Sequence, residues 1–189
     1  MTSRNTPKLI YPIENTNNVS SKFRDGNFSG GKDWGIHLGV DIPASFETKV
    51  FSIGRGNVVY SKLHPAKLSE DGKIDEMNWG GIVIIAHKNP KTKKVFYSLY
   101  GHLGKRYVKK GDNIEMGELI GTIGKSASES NGGWKEEHLH FGIYHGPFHE
   151  RVLQGYLNEK SENTKMEYWS EPLMFIDEYN NLNLKKSGE

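Results

Sequence analysis

The sequence predicts a mostly β protein: an antiparallel β-sheet or sandwich with a groove over the sheet, irregular loops and a short C-terminal helical segment. Three observations predict it. Apolar residues fall in short runs rich in Val, Ile, Tyr and Phe rather than in long stretches of helical period. Twenty-two glycines punctuate those runs together with Asn and Asp, as tight turns and bulges require. No solenoid-length repeat and no low-complexity tract interrupts the pattern.

The elements follow in order. "GIHLGVDI" (35–42) reads as strand, with Ile36, Leu38, Val40 and Ile42 at alternate positions. Gly35 and Gly39 would weaken a helix there and Pro43 would end one. "TKVFSIGRGNVVYS" (48–61), "GGIVIIAHK" (80–88), "KVFYSLYGHL" (94–103), "NIEMGELIGTIG" (113–124) and "HLHFGIYHG" (138–146) are further strands bounded by turn residues. "HPAKLSEDGKIDEMNWG" (64–80) reads as a polar loop, and "ERVLQGYLNEKSENTKMEYWS" (150–170) as an irregular stretch with room for a short helix. In "EPLMFIDEYNNLN" (171–183), Leu173, Met174, Phe175 and Ile176 follow Pro172, consistent with a helical turn that docks the tail.

With 189 residues the chain suffices for one domain with a sizeable core, here residues 19–189, preceded by an N-terminal extension, 1–18. The 25 basic and 23 acidic residues interleave to a net charge of +2, so no basic arm points to nucleic acid, and a monomer is expected. There is no cysteine, which excludes disulfides, thiolate ligands and a thiol nucleophile; any metal must be held by nitrogen and oxygen. No apolar run is long enough for a signal-peptide core or a membrane span.

The chemistry concentrates in two histidine-bearing stretches. In a strand, His138 and His140 share one face while Leu139 takes the other, and His37 and Asp41, four apart, share a face in the same way. Imidazole and carboxylate are ligands that zinc accepts when three protein groups leave a fourth position open. Four candidates are one more than such a site needs, and a hydrolytic site also needs a group to deprotonate water.

"HLGVD", then "SLYGHL", then "HLH", in this order and with "VDIPA", "GRGNVVYS" and "VKKGDNIEMGELIGTIG", resembles the lysostaphin-type (LytM-like) zinc metallopeptidases from about "VSSKF" through "HLHFGIY". The resemblance implies a peptidoglycan peptide as substrate, cleaved in cross-bridge or stem, and one zinc ion per chain. It implies His37, Asp41 and His140 as ligands, His138 and His102 as the catalytic pair, and work outside the cytoplasm in periplasm, cell wall or secretions. His138 would accept the water's proton; His102 would stabilise the tetrahedral intermediate or hold the water in line.

This chain also departs from the family pattern. Gly31 stands where relatives often carry a tyrosine, Gly80-Gly81 replaces a Gly-Asn step, and "GWKEEHLHF" replaces the common lead into the second motif. Glu136 would share a face with His138 if the strand reached it, although a solvated charge is the simpler reading. His87 reads as structural or exposed, and His64, His145 and His149 as loop residues. Trp34, Trp79, Tyr100 and Trp134 lie beside the motifs, as substrate contacts or as packing. Two rivals are weighed. A biotinyl or lipoyl carrier is set aside because no modifiable-lysine motif occurs. A non-catalytic LytM-like module, binding wall or activating an amidase, is disfavoured because all five site positions are filled.

Overall fold

A computed structural model describes residues 8–29, 32–90, 92–161 and 163–184 of the chain. Its strands are β1 (Gly26–Ser29), β2 (Lys32–His37), β3 (Val40–Pro43), β4 (Lys49–Phe51), β5 (Gly56–His64), β6 (Lys67–Leu68), β7 (Ile74–Glu76), β8 (Gly80–Lys88), β9 (Val95–Arg106), β10 (Asn113–Ile114), β11 (Leu119–Ile123), β12 (His138–Tyr144), β13 (Tyr156–Leu157) and β14 (Trp169–Ser170), followed by one helix, α1 (Pro172–Leu184). The main sheet runs β10-β5-β8-β9-β11-β4, and β12 branches from β9 to reach β3 and β14. A smaller sheet, β1-β2-β13, carries His37 at the end of its central strand.

The glycine-bounded apolar run at β8 explains the sheet's burial. Val83 and Ile85 pack into the principal core with Tyr100, Leu103, Leu139, Phe141 and Ile143, while Ile82 and Ile84 pack into a second cluster with Leu99. A strand covered on both faces reads as a continuous apolar run, which is what "GGIVIIAHK" shows. Leu9 and Ile13 join the principal core, and the Asn180 side chain bonds both backbone groups of Leu9 at 2.9 Å, so the segment near the start is held against α1.

Three local expectations are corrected. "GIHLGVDI" is not one strand: β2 stops at His37, Leu38 and Gly39 bend, and β3 starts at Val40, leaving Ile36 exposed while Leu38, Val40 and Ile42 are buried. The polar loop 64–80 contains the β6–β7 hairpin, and His64 is the last residue of β5. Among its described residues the stretch 150–170 shows β13, β14 and a 3₁₀ turn, Met166–Tyr168, rather than an α-helix. The expected C-terminal helical segment is present as a 13-residue helix: Pro172 occupies its first position, and Glu171 accepts the Met174 N–H at 2.5 Å.

Candidate active site

Register brings the first site pair together. On β12, His140 sits opposite Asp41 of β3 and opposite Gly101 of β9. Facing residues on neighbouring strands point to the same side. His140 Nδ1 accordingly lies 3.0 Å from Asp41 Oδ1. His37 arrives from the other sheet, its backbone N–H bonded to Asp25 O at 2.8 Å and its carbonyl to Arg24 N at 2.9 Å. The bend after it is close: a Cβ on Gly39 would stand 2.6 Å from Phe141 O and 2.7 Å from His140 Nε2. Only glycine lets the chain turn against that ring. His37 Nε2 thereby reaches to 3.0 Å from His140 Nδ1 and 3.3 Å from Asp41 Oδ1.

His138 lies on the same face as His140, its Nε2 3.9 Å from Asp41 Oδ1. His102 gets there by an irregularity of β9. Gly81 faces Leu103 and Val83 faces Tyr100, so Gly101 and His102 together oppose Ile82, a β-bulge. Without the extra residue, alternation would send His102 into the core with Tyr100; with it, Leu103 enters the core instead. His102 takes φ +62°, an uncommon value for a non-glycine residue. Its ring centroid is 4.5 Å from that of His138.

The partners of these rings fix their tautomers. A backbone carbonyl only accepts, so the nitrogen facing it carries the proton. The Nδ1–H groups of His37, His138 and His102 donate to Lys22 O at 3.1 Å, Glu136 O at 3.0 Å and Asn131 O at 3.2 Å. Ser21 Oγ lies 3.1 Å from the same His37 nitrogen. Each Nε2 is left with a lone pair.

Burial sets the charge states. It would raise the Asp41 carboxyl, but the hydrogen bond from His140 and the proximity of His37 outweigh it and hold Asp41 well below the usual range. Burial lowers His140 to about 4 and, reinforced by the neighbouring His138 and His140, takes His102 well below its ordinary value. Near neutral pH the site therefore offers the Asp41 carboxylate and the uncharged imidazoles of His140 and His102.

These residues could hold a metal. His37 Nε2, Asp41 Oδ1 and His140 Nδ1 form a triangle with edges of 3.0, 3.0 and 3.3 Å. Three corners of a tetrahedron around zinc with bonds of about 2.0–2.1 Å are roughly 3.3 Å apart. Hydrogen bonding alone does not satisfy the triangle, because His37 Nε2 and Asp41 Oδ1 both present lone pairs and one proton at most, on His140 Nδ1, lies between them. With Nδ1 given to a metal, His140 Nε2 keeps the ring proton, and that buried atom has no hydrogen-bond partner. Among the described residues these are the grouped His and carboxylate side chains whose ligand atoms all lie within 4.8 Å of one another.

At its His140 corner the triangle borders a cleft of about 180 Å³ walled by Trp34, Trp79, Trp134, Tyr156, His102 and His140. Gly101 makes room for Trp79, whose ring a Cβ there would approach to 2.9 Å. Of the motif aromatics, Trp34, Trp79 and Trp134 reach the cleft, while Tyr100 is fully buried and accepts the Ile53 N–H at 3.0 Å. Glu136 is exposed and precedes β12, contributing its carbonyl rather than its carboxylate. Gly31 lies outside the described residues. Tyr156 was not signalled by the sequence: it stands in an irregular charged stretch and reaches the site through the pairing of β13 with β2, opposite His37. Burial, and then the Asp41 charge, raise its hydroxyl above the ordinary tyrosine value.

The sequence model of peptidase family M23 matches residues 35–154, well over half of the chain. The chain belongs to peptidase family M23. Among curated relatives in reach of this chain, the peptidoglycan DD-endopeptidase ShyA of Vibrio cholerae is 28% identical over 132 residues, 69% of this chain and 26% of that protein. Lysostaphin of Staphylococcus staphylolyticus is 31% identical over 151 residues, 78% of this chain and 25% of lysostaphin. The chain thus spans only about a quarter of the length of these two relatives. The solved structure of LytU shares the fold with a TM-score of 0.56 and 21% identity, covering 87% of this chain and 89% of that one. A zinc containing peptidase from Vibrio cholerae does so with a TM-score of 0.53 and 24% identity, covering 72% and 37%. The M23 match takes in His37, Asp41, His102, His138 and His140; Trp34 and Tyr156 fall just outside it.

Proposed function

We propose that this chain is a zinc-dependent endopeptidase that hydrolyses peptide bonds in bacterial peptidoglycan, cross-bridge or stem, and that it acts outside the cytoplasm. One observation carries the reading: three donor atoms from two sheets converge within 3.0–3.3 Å beside two further histidines whose Nε2 lone pairs are uncommitted. His37, Asp41 and His140 hold one zinc ion, which supplies Lewis-acid polarisation of a carbonyl and an acidified water.

The chain's own residues do the rest. The His138 lone pair takes the proton of the attacking water, and the imidazolium so formed returns it to the leaving amine. Asp41, at 3.9 Å, favours that transient positive charge. His102, buried and neutral, accepts a second hydrogen bond from the water and holds it in line. The aromatic walls bind an extended peptide and keep bulk water from the reacting bond.

The test is direct. Purified protein should contain about one zinc per chain and clear isolated cell walls, releasing new amino termini that mass spectrometry of the muropeptides assigns to one bond. Clearing that persists after complete chelation overturns the zinc reading. Wall binding without new termini would identify a non-catalytic module instead.

A further inference from the structure

Both catalytic histidines commit their Nδ1–H to a backbone carbonyl and keep a lone pair on Nε2, so neither, as neutral imidazole, donates a hydrogen bond to a carbonyl oxygen that gathers negative charge. Several side-chain donors on the wall are committed or sealed off, with the Trp79 indole N–H as the exception. Trp134 Nε1 is bonded to Asn78 O at 3.0 Å, Asn78 Nδ2 to Pro65 O at 3.3 Å, and Trp34 Nε1 is buried out of reach of any ligand. Tyr156 differs. Its ring stands 5.2 Å from that of His37 and 6.0 Å from that of Trp34, held by the β13–β2 pairing, and it lines the same cleft as His102 and His140. Among the described residues its hydroxyl has no hydrogen-bond partner, and it is not sealed from the cleft.

We propose that Tyr156 is a catalytic residue: its O–H donates a hydrogen bond to the carbonyl oxygen of the scissile peptide as that oxygen becomes an oxyanion, from the His37 side of the site. The proposal rests on the endopeptidase reading and adds the donor that the five motif residues lack. The phenol proton stays on oxygen throughout; no bond to Tyr156 forms or breaks. A tyrosine suits the task because its ordinary pKa near 10 keeps the donor proton in place at neutral pH. One oxyanion donor in a water-poor site is worth about 10²–10³ in kcat.

The experiment compares zinc-loaded wild type with Tyr156→Phe, which keeps the ring against His37. Zinc content, thermal midpoint and KM should match wild type, while kcat on a muropeptide that the wild type cleaves should fall about 100-fold or more. Inorganic phosphate supplies a readout without turnover: as a tetrahedral anion it should bind the variant at least about tenfold more weakly, the loss expected for a hydrogen bond to a charged group. Tyr107→Phe, at a residue 54% exposed, should change neither. A kcat and a phosphate Kd both within threefold of wild type overturn the proposal, as does a variant whose loss lies in zinc content or KM alone. Failure of the endopeptidase reading looks different: wild type then releases no amino termini, and the phosphate comparison by itself decides Tyr156.

Discussion

β8 and β9 carry buried histidines in two environments. His87, 2% exposed near the end of β8, uses both ring nitrogens: Nδ1–H donates to Arg55 O at 3.0 Å and Nε2 accepts from Ser98 Oγ at 2.7 Å, with the ring stacked on Phe96. His102, toward the other end of β9 and 4% exposed, uses one nitrogen and leaves the other facing a cluster of like groups. A histidine placed for folding is satisfied at both ends, since an unpaired buried polar group is costly. Convergence of unsatisfied lone pairs from several elements is therefore the mark of a site, and burial alone is not.

Breaking the cluster at its centre should have the largest effect. Asp41→Ala or His140→Ala removes one corner of the triangle, and zinc should fall from about one per chain to a trace by elemental analysis, with wall-clearing activity going with it. His87 variants should keep their full zinc content. Next in size are His138→Ala and His102→Ala, which leave the triangle intact. Both should retain zinc and lose roughly 10²–10⁴ in kcat on a defined muropeptide. Zinc loss in the His102 variant would show that it serves as a ligand.

The contrast also explains what the sequence made legible. Side chains of period two were readable: His138 and His140 share a face as the spacing requires, and β8 and β12 follow the apolar runs closely. His37 and Asp41 do meet, but across a bend at Leu38 and Gly39 rather than along one strand, because Gly39 can press against His140 where any other residue would clash. His102 needed the bulge in β9, which inverts alternation and is set by cross-strand register that no local spacing records. The carbonyls that fix the tautomers belong to Lys22, Glu136 and Asn131, and backbone acceptors leave no trace in residue identity. Tyr156 was illegible for a related reason, since a two-residue strand among charged residues carries too little pattern to announce itself.

The smallest expected effect falls on the satisfied histidine. His87→Phe keeps the aromatic stack on Phe96 but strips Ser98 Oγ and Arg55 O of their partner, at about 1–3 kcal/mol of stability at pH 7 by denaturant unfolding, with zinc affinity unchanged. The pH dependence sharpens this. Burial lowers His87 from 6.5 to about 4, so the folded state keeps it neutral while the unfolded chain takes up a proton below 6.5. Stability that wild type holds above pH 6.5 is lost as pH falls toward 4, by up to about 3 kcal/mol for a shift of this size. Phenylalanine cannot take up that proton, and the site histidines are common to both proteins and cancel. The gap between wild type and His87→Phe should therefore close between pH 6.5 and 4, and a gap that stays constant over that range would mean that His87 is not held neutral by the fold.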